Sequence, residues 1–205
     1  MIKPIYLYGA EVLRKTAAPA DLSGKAGIQA LVQDLKDTLV VADGCGLAAP
    51  QIGVSLRVVI VDGDVVSDTY DYLKGFRRTL INPEILEESE EKVTYSEGCL
   101  SIPGVYCDVV RPKKMTVRYY NEELQQVTEE FDNFAARMIQ HELSHLDGDL
   151  FTDHAAPIRK KMISSKHLRE CVVTYQKSCH HDASRLAEKI IQISYDNSKV
   201  LFQVL

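Results

Sequence analysis

No stretch of the chain approaches the ~18–20 apolar residues that a membrane helix needs; residues 58–61 are typical of its longest apolar runs. The opening MIKPIYLYGAEVLRK lacks a signal-peptide apolar core and a small-residue cleavage site, so export is not expected. A surplus of positive charge is also missing. Twenty-nine Asp and Glu against 24 Lys and Arg leave a formal charge of −5, which disfavours a surface built for direct nucleic-acid specificity. Cysteines are few and odd in number, five in 205 residues. A disulfide framework is therefore not expected, and a cytoplasmic location is. No repeat, low-complexity tract or long Pro/Gly/Ser linker divides the chain. What is present is a hydrophobic fraction of 45%, enough for the core of one domain with an appendage.

Ile28, Leu31, Val32, Leu35, Leu39 and Val40 recur at helical spacing, predicting a helix over 26–42 that stops at Asp43-Gly44. The segment GCGLAAPQIG that follows carries three glycines and a proline and reads as a loop. RVVIVD, residues 57–62, reads as a buried strand, and 62–75 as a polar excursion. Short strands are expected at 79–86, 92–95 and 106–110, and a hairpin at 115–120 and 126–131 through Asn121-Glu122-Glu123. Asn133 is placed to cap a helix that carries Phe134, Met138, Ile139, His141, His145 and Leu146 and stops at Gly148. Consecutive strands followed by a helix, without βαβ alternation, predict an α+β fold with mostly antiparallel sheets around that helix.

The densest chemistry is His141-Glu142-Leu143-Ser144-His145. On a helix, positions four apart share a face, with Cβ atoms roughly 5–6 Å apart. Two imidazoles so placed are able to share one metal ion, with Glu142 beside its water. The alternative is a pair of solvated histidines, but Phe134, Met138 and Leu146 set apolar residues around that face. A third ligand is then required. A histidine six residues after His145 would complete one protease pattern, but Phe151 stands there. A glutamate about 20 residues on would complete another, and Glu170 lies too far along. The cysteines remain: Cys99 at the end of a strand, Cys45 in the glycine loop, Cys107 in a strand, and Cys171 and Cys179 in the tail.

GCGLAAPQIG, EGCLS and QHELSHLDG occur in that order, and together they closely resemble the three motifs of the peptide deformylases. The resemblance spans residues 1–162, taken as the catalytic domain, and leaves 163–205 as a partly helical extension of unassigned role. It implies a metal-dependent hydrolase that removes the N-formyl group from the N-terminal formyl-methionine of nascent proteins and releases formate. It maps the metal ligands onto Cys99, His141 and His145, and the general base and acid onto Glu142, which activates metal-bound hydroxide for attack on the formyl carbon. Gln51 and the backbone N–H of Leu100 become the oxyanion donors. Gly46 becomes a substrate-binding position with a bare backbone. Phe134 and Met138 precede His141 on its inner face and are candidates for the methionine pocket, with ordinary core packing as the alternative. Arg137 is expected in a structural ion pair. The family favours Fe²⁺ as the native ion, although thiolate and imidazole also suit Zn²⁺, Ni²⁺ and Co²⁺.

Two positions depart from the family pattern. Ser144 stands where the family usually has Asp, which removes a carboxylate that would face Arg111. Cys45 stands where an aliphatic residue is common, and is read as packing rather than as a ligand. Beyond 162, the residues of 182–195 form an apolar stripe. Some family members use a C-terminal helix to reach the ribosome, which makes the ribosome a candidate partner here. Arg185 and Lys189 are the only basic charges the stripe offers for that purpose, so self-docking or dimerisation ranks higher. Cys179-His180-His181 are adjacent in sequence and do not easily converge on one ion.

Overall fold

The computed structural model describes residues 1–154. The first expected helix is α1 (Lys25–Ala42). Ile28, Leu31, Val32, Leu35 and Leu39 are buried along one face, while Val40 is 80% exposed and does not belong to it. The helix ends at Asp43, whose φ of 55° makes it, rather than Gly44, the left-handed stop.

The glycine segment is not wholly a loop. It forms a short strand, β1 (Gly46–Ala48), followed by a 3₁₀ turn at Ala49–Ile52. Three residues have no readable period; β1 exists because β2 (Val58–Asp62) offers it a partner, pairing Gly46 with Val61 and Ala48 with Val59. The VVIV run is unbroken because both faces of β2 are covered. Val59 and Val61 belong to the core cluster under the catalytic-motif helix, and Val58 and Ile60 to the cluster under α1.

The remaining strands are β3 (Arg77–Glu88), β4 (Lys92–Cys99), β5 (Ile102–Pro112), β6 (Lys114–Tyr120) and β7 (Gln126–Asp132). Two sheets result, one of five strands in the order β1-β2-β3-β6-β7 and one formed by the β4–β5 hairpin. Every named pairing is antiparallel, so the α+β expectation holds. β4 and β5 both extend well past the expected 92–95 and 106–110, because their pairing runs on from Lys92↔Pro112 to Cys99↔Ile102.

The second helix, α2 (Asn133–Leu146), follows β7 directly. Its N-cap is Asp132, not Asn133, and neither side chain caps it. Asn133 has φ 49° and donates instead to Asp132 Oδ2 at 3.0 Å, while the Phe134 N–H is taken by the Tyr72 hydroxyl at 3.1 Å. At the other end Leu146 C=O accepts from Ala17 N–H at 2.7 Å. Gly148, at φ 76°, lies so near Arg14 that a Cβ would fall 2.8 Å from its carbonyl. The N-terminal segment thus seals the end of the motif helix. Among the described residues no helix is long and apolar enough to cross a membrane. The 162/163 boundary, the 182–195 stripe, Cys171, Cys179, His180 and His181 lie outside the described residues.

Candidate metal centre and active site

α2 is buried along almost its whole length, and His141, Glu142 and His145 are each no more than 2% exposed. The helical spacing brings the two imidazoles to 5.2 Å between ring centroids. The third partner arrives from the β4–β5 hairpin. Cys99 ends β4, and its Sγ lies 3.3 Å from His145 Nε2. The ligand atoms of Cys99, His141 and His145 all fall within 4.8 Å of one another, and this is the one such buried cluster among the described residues. Cys45 and Cys107 are not part of it. Phe151, where a third histidine would have stood, is a buried apolar wall with its ring 6.0 Å from that of His141.

The donors fit a divalent cation. His141 Nε2, His145 Nδ1 and Glu142 Oε2 are buried without a hydrogen-bond partner, a costly arrangement unless something else engages them. Burial, then the charge of Glu142, pushes the Cys99 thiol well up. Burial, then His141, pushes His145 well below the usual imidazole range. The set is thus a thiol and a neutral imidazole held in a dry site, and a positive ion reverses the penalty on the thiolate. Two imidazoles and a thiolate are also a donor set that leaves one position open for chemistry.

Glu97 organises the site, and it was not singled out by sequence reasoning. The available signal was its place two residues before Cys99, a spacing that a regular strand puts on one face. It is fully buried. Its Oε2 meets His141 Nδ1 at 2.9 Å, Arg111 donates to Oε1 and Oε2 at 2.8 and 3.0 Å, and Arg137 donates to Oε1 at 2.7 Å. Burial alone would raise this carboxyl; the bonds from His141 and Arg111 outweigh it and hold Glu97 far below the usual carboxylate range. Arg137 is therefore in the expected structural pair, and it also bonds Val109 and Val93 carbonyls. Arg111 donates to Ser144 Oγ at 2.9 Å, so residue 144 does face Arg111, and it does so with a hydroxyl.

Gln51 is oriented by its Oε1, which accepts from Ala48 N–H at 2.8 Å. That leaves the Nε2 protons for Ser101 Oγ at 3.2 Å and Cys99 Sγ at 3.5 Å. The amide therefore pins the loop and faces the metal-ligand cluster at once. Leu100 follows Cys99 at the hairpin turn, with its side chain against Gly44. Gly46 has a local reason to be bare: a Cβ there would lie 2.5 Å from Glu142 Oε1. Glu142 itself is raised well above the ordinary carboxylate value, by burial first and then by Glu97, with Arg111 opposing. Phe134 and Met138 sit in the core with Cys45. Phe134 stacks on Tyr70 at 4.6 Å and meets Tyr95 edge-on at 5.5 Å, and Met138 is fully buried. Cys45 is pushed up to about 12 by burial and by Glu142, so it remains a packed thiol.

Comparison with known proteins finds chains similar in sequence and in fold. The sequence profile of the family described as polypeptide deformylase matches residues 2–161. A peptide deformylase of Cytophaga hutchinsonii is 42% identical over 166 residues, covering 81% of this chain and 89% of its own. The crystal structure of a peptide deformylase from Legionella pneumophila superimposes with a TM-score of 0.74 at 34% identity, covering 89% of this chain and 99% of that one. A class I type b peptide deformylase from Acinetobacter baumannii, bound to Met-Ala-Ser, gives a TM-score of 0.68 at 31% identity over 75% of this chain and 98% of that one.

Proposed function

The chain belongs to the polypeptide deformylase family, and from that membership we propose how its own residues remove the N-formyl group from the formyl-methionine of nascent polypeptides. The observation that carries the reading is the convergence of Cys99, His141 and His145 beside the unpartnered Glu142 Oε2. Cys99, His141 and His145 would hold one divalent ion. Family resemblance favours Fe²⁺, and the same donors accommodate Zn²⁺, Ni²⁺ or Co²⁺. When bound, the ion supplies Lewis-acid charge and makes water a usable nucleophile at neutral pH.

Glu142 Oε2 takes the proton of the water that attacks the formyl carbon. It then returns that proton to the departing α-amine nitrogen. Gln51 Nε2 and the Leu100 N–H stabilise the oxygen that gains charge in the tetrahedral intermediate. Gln51 is held for this by Ala48, so little reorganisation is needed. The carbon–nitrogen bond then breaks to give formate and a free amine. Gly46 keeps the Glu142 carboxylate close to the bare backbone along which substrate lies. Phe134 is the candidate for the wall against which the methionine side chain rests, whereas Met138 has no accessible surface for a substrate to meet and serves as core packing. The Acinetobacter enzyme with Met-Ala-Ser supports a peptide beginning with methionine as the product bound at such a site.

Residues 1–162 are the catalytic unit in this reading and 163–205 an extension. The ribosome is its candidate partner, with self-association ranked higher, and the cytoplasm is where formylated chains emerge. The test is formate release from a formyl-Met peptide, with metal analysis of the same sample. Release that tracks metal content supports the reading. No release with any of the four ions overturns it.

A further inference from the structure

The segment between β2 and β3, residues 63–76, carries Tyr70 and Tyr72, which take no part in the proton transfers. It is fastened at its ends and in its middle. Gly63 N–H donates to Phe76 C=O at 2.8 Å, Gly75 N–H donates to Asp64 Oδ1 at 2.8 Å, and Arg77 pairs with both Asp62 and Asp64. Leu73 is fully buried, and the Tyr72 hydroxyl accepts the Phe134 N–H at the first turn of α2. So held, the segment delivers the Tyr70 ring onto Phe134, stacked at 4.6 Å with 15° between the planes. Tyr95 of β4 meets the same Phe134 edge-on at 5.5 Å. Three rings from three elements converge, and Tyr70 and Tyr95 are only partly buried, so unlike Met138 they keep accessible surface. Phe134 precedes His141 by seven residues, about 10 Å along a helix. Tyr95 precedes Cys99 by four, about 13 Å along a strand. An unbranched side chain extending from a formyl group at the ligands, met by rings reaching in from the other end, fits that separation.

The rings carry a chemical preference as well as a position. The sulfur of a thioether is polarisable and gains from ring contacts, often at the ring edge, that a methylene does not make. Aliphatic walls have no such preference and favour the less well hydrated methylene. We propose that Tyr70 and Tyr95, flanking Phe134, are specificity-determining residues that make the first-residue pocket select the thioether of methionine over an unbranched hydrocarbon side chain of the same length. The inference rests on the deformylase reading and on Phe134 as the pocket wall. It adds to the substrate-binding surface a segment whose sequence reads only as a polar excursion.

The test compares kcat/KM for formyl-Met and formyl-norleucine peptides, otherwise identical, on the metal-loaded full chain. Norleucine exchanges the sulfur for a methylene and alters nothing else. The proteins are the parent, Tyr70→Leu, Tyr95→Leu and Tyr70→Phe. The parent is expected to prefer formyl-Met by about two- to tenfold. Each leucine variant keeps an apolar side chain without a ring and is expected to bring the ratio toward one. Tyr70→Phe keeps the ring and is expected to keep the ratio. A loosened fold lowers turnover of both peptides together, so the ratio separates selectivity from structure. A parent that treats the two peptides alike overturns the proposal, as does a parental ratio in either leucine variant or a lost preference in Tyr70→Phe. If Tyr70→Leu does not fold, Tyr95→Leu decides the matter alone. A parent that releases formate from neither peptide would instead refute the deformylase reading itself.

Discussion

Gly46 and Glu142 compete for one volume: a Cβ on residue 46 would sit 2.5 Å from Glu142 Oε1 and 2.8 Å from its Cδ and Cγ. The opposing atoms run from Oε1 back to Cγ, so the whole Glu142 side chain would have to turn from its place to make room. Gly46→Ala should therefore cost only the ~0.5–1.5 kcal/mol of an off-rotamer side chain while moving the proton acceptor out of place. Turnover should fall toward that of Glu142→Ala, and Gly46→Ala added to Glu142→Ala should cost little more. Kinetics of the four-member cycle check this, and additive losses would show that residue 46 acts on substrate independently.

Glu142→Ala should leave Cys99, His141 and His145 in position and metal content near that of the parent. Removing the proton acceptor should lower kcat by about 10²–10⁴-fold, roughly 3–5 kcal/mol of barrier, with KM for a formyl-Met peptide changed far less. Near-parental turnover at full metal occupancy would remove Glu142 from the reaction.

Cys99→Ser should fail in a different way. A hydroxyl at neutral pH is not a thiolate, so the variant should lose metal during dialysis that the parent survives. The Gln51 amide, which faces Cys99 Sγ at 3.5 Å and Ser101 Oγ at 3.2 Å, should keep its place. Metal analysis after dialysis decides the matter.

Glu129 offers a pH dependence away from the metal. Burial would raise this carboxyl, but Arg78, at 2.7 Å, and the Tyr119 hydroxyl, at 2.7 Å, outweigh it and hold it below the ordinary 4.5. A lowered folded value means stability that is complete above about pH 4.5 and drains as pH falls through the folded value. The pair is partly exposed, so its worth is under about 1 kcal/mol, or about 1–3 °C in a chain of this size. In stripped protein the parent should melt above Glu129→Gln at pH 7, and the gap should close toward pH 3. A gap independent of pH would place the stabilisation in packing.

His141, Glu142 and His145 were legible because their geometry is local: the helix repeat alone sets the two rings side by side, here 5.2 Å apart. The β6–β7 hairpin was legible for the same reason, with its turn residues between alternating strands. β1 was not, because three residues become a strand only when β2 is there to pair with them. Asn133 was misplaced as the cap of α2 because Tyr72, 62 residues before Phe134, supplies the acceptor for the Phe134 N–H.

The sequence by itself determined which chemistry is available: two histidines and a glutamate on one helix turn, and three motifs in an order that names a family. It did not determine what holds them. Cys99 meets His145 across 46 residues, and Glu97 meets Arg111, Arg137 and His141 across 14, 40 and 44. Such contacts have no period to read along a chain. They form because the β4–β5 hairpin packs its strand end against the buried face of α2. In that dry site each buried charge requires a partner, and the tertiary structure decided which partners those are.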